Sequence, residues 1–387
     1  MKCPHCSFER EVPFKFCPMC GVKMVDKADE ENFSAENQPQ TEENPVIAEE
    51  IAVQPEIATF VRRVPHGFTE KTYNERKGIK KISRLSATSF LLLSFISIII
   101  SYVSIFTLLG FGYTFDSAVD FLQDPFLAQL YQITVSSFMF IVPFTIIFKF
   151  AGYKISKIIN FNLPKNKAWF PLVLIGIGFC AFANIATSIA ATIFESFGIK
   201  YEVDFGENPQ GILGIILSIL ATAVVPALVE EFACRGVVMG ALRKYGDGFA
   251  VLTSAIMFGL IHGNFQQMPF AFMVGLVLGF VTVKCNSIWP AVLIHFYNNF
   301  SSVVFDYTFE GVAVQLQNII YTIYIVICLF IGLIGVLLLR NNTEIFKFTT
   351  SNTESGEKNK YKWFFLTELT IFAIVVYLIE SLQFFVS

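Results

Sequence analysis

The chain has 387 residues, 54% of them hydrophobic and only 15% charged, with a formal net charge of −3 and a mean hydropathy of +0.58. Soluble domains carry about 25% charged residues and seldom sustain apolar runs near 20 residues long, so an ordinary water-soluble globule is excluded. The net charge itself says little, because charges of each sign are sorted into blocks along the chain.

The first block, residues 1–24, holds four of the eight cysteines, as Cys3-x₂-Cys6 and Cys17-x₂-Cys20, the second pair followed by Gly21. Two such knuckles present four thiolates at the spacing of a tetrahedral structural site, so the segment is read as a zinc ribbon with Zn²⁺ on Cys3, Cys6, Cys17 and Cys20. A module this small is unfolded without its ion. Residues 25–60 are acidic, with Asp29-Glu30-Glu31, Glu42-Glu43 and Glu49-Glu50, and are expected to form a disordered linker. Residues 61–85 are basic (Arg62, Arg63, Lys71, Arg76, Lys77, Lys80, Lys81, Arg84) and suit a juxtamembrane segment facing anionic lipid headgroups. The ribbon lacks a basic-aromatic patch, so no nucleic acid is expected as partner. Its own partner is an unidentified cytoplasmic one.

Residues 86–340 form the membrane core, followed by a cytoplasmic loop and a last transmembrane helix over 341–387. Apolar runs fall near 86–112, 126–149, 168–194, 210–242, 248–263, 268–284, 287–305, 318–339 and 362–385. The fold class expected is therefore an all-α polytopic membrane protein with eight to nine transmembrane helices. Loops alternate in charge, with Lys154 to Lys167, Arg243 and Lys244, Lys284, and Arg340 to Lys360 on one set and acidic or neutral residues on the other. The positive-inside rule places the N-terminus in the cytoplasm of a multi-pass cell-membrane protein. Trp169, Trp289 and Trp363 all fall at cytoplasmic entry points, as interfacial anchors do.

Within this apolar background stand three polar signatures: Glu230-Glu231-x₃-Arg235, Phe258-x₃-His262, and His295-x₃-Asn299. Charge near the bilayer midplane costs about 2.5–3.5 kcal/mol per residue by insertion scales and marks a functional site by default. Counted from the cytoplasmic helix ends, Glu230 lies about 18 Å deep, His262 about 21 Å, Asn299 about 18 Å and His295 about 12 Å. Helices of alternating direction thus bring these groups to a common level.

On a helix, residues four apart share a face. Glu231 and Arg235 are read as a buried ion pair bracing their helix, which leaves Glu230 pointing elsewhere and free to act. A carboxylate in an apolar cavity suits proton transfer, and His262 could share a water with Glu230. His295 and Asn299, on one face, could donate to a developing oxyanion. Phe258 shares a face with His262 and packs on its ring.

These motifs resemble the CPBP family of intramembrane proteases, which includes the CaaX prenyl endopeptidases and the Abi-type bacteriocin-processing or immunity membrane proteins. The family pattern Glu-Glu-x-x-x-Arg, Phe-x-x-x-His, His-x-x-x-Asn is met by Glu230, Glu231, Arg235, Phe258, His262, His295 and Asn299. Gln267, Ala271-Phe272, Gly275, Gly279 and Ser287-Ile288-Trp289-Pro290 resemble it further. The resemblance covers residues 226–302 and implies peptide-bond hydrolysis in the membrane. Glu230 and His262 would activate the water, His295 and Asn299 would hold the oxyanion, and Glu231 and Arg235 would shape the site. The implied substrate is a membrane-associated peptide or protein tail, with membrane lipid around it. Three alternatives stay open: a zinc-dependent version of the same hydrolysis, with Glu230, His262 and His295 as ligands, a non-catalytic peptide-binding or bacteriocin-immunity protein, and a proton-coupled carrier with Glu230 and the histidines as relay groups. The metal-free glutamate mechanism is the reading taken.

Overall fold

A computed structural model describes residues 65, 67–198, 200–201, 207–348, 353–382 and 385–386. The zinc ribbon with Cys3, Cys6, Cys17 and Cys20, and the acidic linker 25–60, lie outside the described residues.

Thr69 begins the first helix, α1 (Glu70–Gly110): its hydroxyl accepts the Thr72 N–H at 3.1 Å while its own N–H donates to Thr72 Oγ1 at 3.0 Å. This reciprocal cap satisfies backbone donors that a helix start leaves unpaired. The 41 residues of α1 span roughly 60 Å, about twice a hydrocarbon core. The basic residues from Lys71 to Arg84 therefore lie in the first turns of this helix, which is continuous through residue 86. The other main helices follow as α2 (Phe115–Gln123), α3 (Pro125–Phe150), α4 (Trp169–Ser196), α5 (Gly211–Tyr245), α6 (Asp247–Leu260), α7 (Gln267–Cys285), α8 (Trp289–Thr308), α9 (Val314–Leu339), α10 (Glu357–Phe365) and α11 (Glu368–Leu382).

The sequence leads to eight or nine spans; the structure gives fewer. Among the described residues six helices are long and apolar enough to cross a membrane (α1, α3, α4, α5, α7, α9), or seven if α10 and α11, bent by 70°, count as one broken span. The difference lies at α6 and α8. With 14 residues, α6 is about 21 Å long, short for a bilayer. In α8 the polar side chains of His295, Asn298, Asn299 and Asp306 dilute the apolar run. These are the two helices that carry the second and third signatures.

Exposed apolar faces, such as Ile323, Val326 and Phe330 on α9, are larger than water-soluble surfaces tolerate, and with the apolar helices they make this a multi-pass membrane protein. The basic loops gather on one side of the bundle. There Lys81 Nζ donates to Ala151 O at 2.7 Å, Arg243 Nη1 to Asn286 Oδ1 at 3.2 Å, and Lys284 Nζ to Lys347 O. At the other side the Tyr307 hydroxyl donates to Pro209 O at 2.8 Å, and Lys200–Tyr201 pairs antiparallel with Phe385–Val386.

Two apolar clusters hold the helices. One joins α1, α3, α5 and α6 through Phe90, Phe144, Phe148, Val237, Phe249 and Phe258; the other joins α4, α7 and α8 through Leu172, Leu278 and Ile294. Helices α4 and α9 meet backbone to backbone, because a Cβ on Gly178 would stand 2.6 Å from Gly332 Cα. In lipid, helix association relies on such close packing of small residues. Gly332→Val is therefore expected to destabilise the fold by about 1–3 kcal/mol, read as a lower thermal midpoint in detergent. An unchanged midpoint would mean that the interface can slide apart without loss.

Candidate active site

Helix α5 is not a plain α-helix. Two π-helical stretches, Ile219–Val224 and Phe232–Met239, flank the short α-helical run Val225–Glu231, which carries Pro226 in its first turn. A π turn shifts the hydrogen-bond register, frees carbonyls, and is frequent at functional sites. Two carbonyls in these stretches take side-chain donors from other helices: Thr222 O accepts Asn299 Nδ2 of α8 at 3.0 Å, and Cys234 O accepts Ser254 Oγ of α6 at 2.9 Å. The irregular helix is thus pinned by the helices that carry the other two signatures.

Glu231 sits at the centre of a sealed frame. Its Oε1 accepts Arg235 Nη1 at 2.7 Å and lies 2.9 Å from His295 Nδ1. The side chains of Glu231 and Arg235 have no exposed surface, while Glu230 keeps 17%. The i,i+4 spacing brings the acid and the guanidinium together, as the sequence suggests. The bond across to His295 joins two helices and does not follow from the spacing. Because Glu231 is ion-paired and therefore a carboxylate, His295 Nδ1 must be the donor. Its Nε2 then faces Glu230 Oε2 at 3.9 Å, too far for a hydrogen bond.

Phe258, 2% exposed, touches three of the polar groups. The Arg235 guanidinium lies over its ring at 4.0 Å, and the rings of His262 and His295 meet it edge-on at 4.9 and 5.8 Å between centroids. The cation over the ring face is the attractive arrangement. His262 Nδ1 lies 2.7 Å from Phe258 O. A carbonyl only accepts, so Nδ1 carries the proton, and in the neutral ring Nε2 keeps its lone pair. His262 and Glu230 are both half-buried.

The structure therefore brings Glu230, Glu231, Arg235 and His295 into one cluster and joins His262 to it through Phe258. Asn299 lies one turn along α8. Its amide nitrogen bonds Thr222 O, its Oδ1 accepts Asn298 Nδ2 at 3.2 Å, and a second N–H is left on the amide. No three His, Cys, Asp or Glu side chains among the described residues converge as a metal-holding group, and His262 and His295 each have Nδ1 committed to another partner.

Further residues shape the site without standing out in the sequence for that role. Gly275 of α7 admits the guanidinium, since a Cβ there would lie 3.3 Å from Arg235 Nη2 and 3.1 Å from Ala255 Cα. Glu380 of α11 approaches the turn after His262, its Oε2 standing 3.7 Å from a Cβ built on Gly263. A carboxylate following the apolar run of the last helix is the signal that could have found it. A cavity of about 660 Å³ on the basic side, lined by Lys157, Met239 and Arg243 among others, reaches the cluster at Arg235.

Comparison with known proteins bears on the same stretch of the chain. Residues 212–301 match the family profile described as "Type II CAAX prenyl endopeptidase Rce1-like", a stretch containing every residue of the cluster. The Bacillus subtilis (strain 168) protein "Putative membrane peptidase YdiL" is 30% identical over 123 residues, which cover 30% of this chain and 49% of that protein. The chain thus spans about half the length of the curated relative it matches. No solved structure matches it.

Proposed function

We propose that this chain is an intramembrane endopeptidase of the CAAX-protease type, hydrolysing a peptide bond in a membrane-associated peptide or protein tail. The observation that carries the reading is the division of labour in the cluster. Glu231, Arg235 and the Nδ1 edge of His295 are locked together out of solvent, while Glu230 and His262 beside them are only half-buried, and Glu230 Oε2 has no hydrogen-bond partner among the described residues. The match of residues 212–301 to a prenyl endopeptidase family and the similarity to a protein named as a membrane peptidase support the same reaction class.

In this mechanism Glu230 and His262 Nε2 hold one water. Its oxygen attacks the scissile carbonyl carbon as its proton passes to the Glu230 carboxylate. The free N–H of Asn299 and His295 Nε2 donate to the resulting oxyanion; since His295 Nδ1–H is already given to Glu231, the ring must carry both protons to do so. The C–N bond then breaks as Glu230 returns its proton to the departing amine. Glu231, Arg235 and Phe258 hold the geometry. The N-terminal ribbon, carrying Zn²⁺ on its four cysteines, would face the cytoplasm and engage a partner there, and the tail would approach from that side.

The test is cleavage of membrane-peptide candidates by purified wild type, Glu230→Gln, His262→Ala and Asn299→Ala. Glu230→Gln is expected to lower kcat at least roughly a thousandfold, Asn299→Ala by roughly a hundredfold or more, as for loss of an oxyanion donor. Cleavage that survives Glu230→Gln would sink the assignment. Chelator is added to wild type and to a variant with serine at Cys3, Cys6, Cys17 and Cys20. Loss of activity in both, restored by zinc, would replace the metal-free mechanism with the zinc-dependent one.

A further inference from the structure

The basic stretch at the start of α1 has no part in the proposed hydrolysis, and the structure gives it a specific surround. A cavity of about 490 Å³ lies between the first turns of α1 and α10, its wall including Arg76, Lys80, Lys362, Trp363, Leu366 and Glu354. Arg76 and Lys80 are four apart on α1 and both half-buried; Lys362 comes from α10. Among the described residues none of the three forms an ion pair. The nearby carboxylates are otherwise engaged: Glu368 with Arg84 at 2.8 Å, Glu357 with Lys360 at 2.5 Å, and Glu354 with the Thr69 hydroxyl at 2.6 Å and Lys71 at 3.8 Å. Buried Glu75 is held by the backbone N–H groups of Glu354 and Ser355 at 3.1 and 3.0 Å, which fixes the cavity rim to α1. Three cations against one carboxylate leave the cavity wall positive.

Its position tells what kind of anion it fits. Helix α10 is bent 70° from α11 and brings Lys362 and Trp363 to the cavity wall beside Arg76 and Lys80 of α1, where basic residues and an aromatic meet as they do near lipid headgroups. Leu366 on the cavity wall, and Ile371 and Phe372 farther along the chain on α11, are 57, 45 and 49% exposed. A soluble anion would have no use for that surface, whereas acyl chains would cover it. We propose that this cavity binds the phosphodiester headgroup of an anionic phospholipid, with Arg76, Lys80 and Lys362 on the phosphate and Trp363 and Leu366 at the glycerol and upper acyl chains.

The test uses the full chain, delipidated in detergent. Binding of dioleoylphosphatidylglycerol, dioleoylphosphatidylcholine and inorganic phosphate is read by native mass spectrometry and by the shift in thermal midpoint. Phosphatidylglycerol is expected to bind and raise the midpoint, phosphatidylcholine and inorganic phosphate to do neither. The variant Arg76→Gln/Lys80→Gln/Lys362→Gln should weaken phosphatidylglycerol binding roughly a hundredfold. Lys358→Gln, on α10 but off the cavity wall, should leave it unchanged. If the triple variant cannot be recovered, Lys362→Gln alone should weaken binding roughly fivefold. Equal binding of phosphatidylcholine, an unchanged affinity in the cavity variants, or a phosphate effect equal to that of phosphatidylglycerol would overturn the proposal.

Discussion

Replacing Glu231 with alanine is expected to destabilise the fold by about 3–5 kcal/mol and to abolish hydrolysis, whereas Glu231→Ala/Arg235→Met should recover most of the stability and none of the activity. The first part follows from burial. Arg235 Nη1 donates to Glu231 at 2.7 Å, and the guanidinium has no exposed surface. Removing the acid strands a charge in an apolar interior, the case in which breaking a buried pair costs about 3–5 kcal/mol. Replacing both partners by apolar residues removes the stranded charge, and such exchanges are often neutral. The second part follows from the bond at 2.9 Å from Glu231 Oε1 to His295 Nδ1. Without that acceptor the imidazole loses the partner that takes its Nδ1–H and fixes its angle, so Nε2 is no longer aimed beside Glu230. Thermal unfolding in detergent reads the stability, and a membrane-peptide cleavage assay reads the activity. Activity recovered in the double variant would show that His295 needs no orienting carboxylate. A single variant as stable as wild type would show that the pair carries no folding energy.

What the sequence reveals here depends on whether a contact lies within a helix or between helices. The pairing of Glu231 with Arg235 is legible because i,i+4 geometry is local, and the meeting of the three signatures because polar groups in lipid must find one another. The His295–Glu231 bond crosses from α8 to α5, and no spacing rule reaches that far. The π stretches of α5 leave no mark in residue type, since they are shifts of hydrogen-bond register that Asn299 and Ser254 help to hold from outside. Helix positions follow from apolar runs, yet the span count does not. In α6 the run is too short, and in α8 the residues that make a site are the ones that lower its hydropathy. The start of α1 is hidden for the opposite reason: a charged sequence continues the helix beyond the apolar run, and only the Thr69–Thr72 cap marks its beginning.

Phe258 carries the other large expectation. Phe258→Ala should cost about 3–5 kcal/mol, the usual range for emptying a buried aromatic site, and should leave no measurable cleavage. The more telling variant is Phe258→Leu, which keeps most of the volume and removes the ring. The ring holds the Arg235 guanidinium on its face at 4.0 Å and both histidine rings at its edges. A desolvated cation–π contact is worth about 2 kcal/mol, and each aromatic pair about 0.5–1.5 kcal/mol. These contacts set where His262 and His295 stand relative to Glu230, and small displacements of reacting groups lower rates steeply. Phe258→Leu is therefore expected to fold, with a modestly lower thermal midpoint, and to lose roughly a hundredfold in kcat/KM, mostly in kcat. The His262 Nδ1 bond to the carbonyl of residue 258 is a backbone contact and survives the substitution, so the loss measures the ring alone. If kcat holds while stability falls, Phe258 is filler beneath a site that Glu231 and the π-helical turns already position. If kcat falls while the fold holds, the two histidines take their places from one aromatic ring.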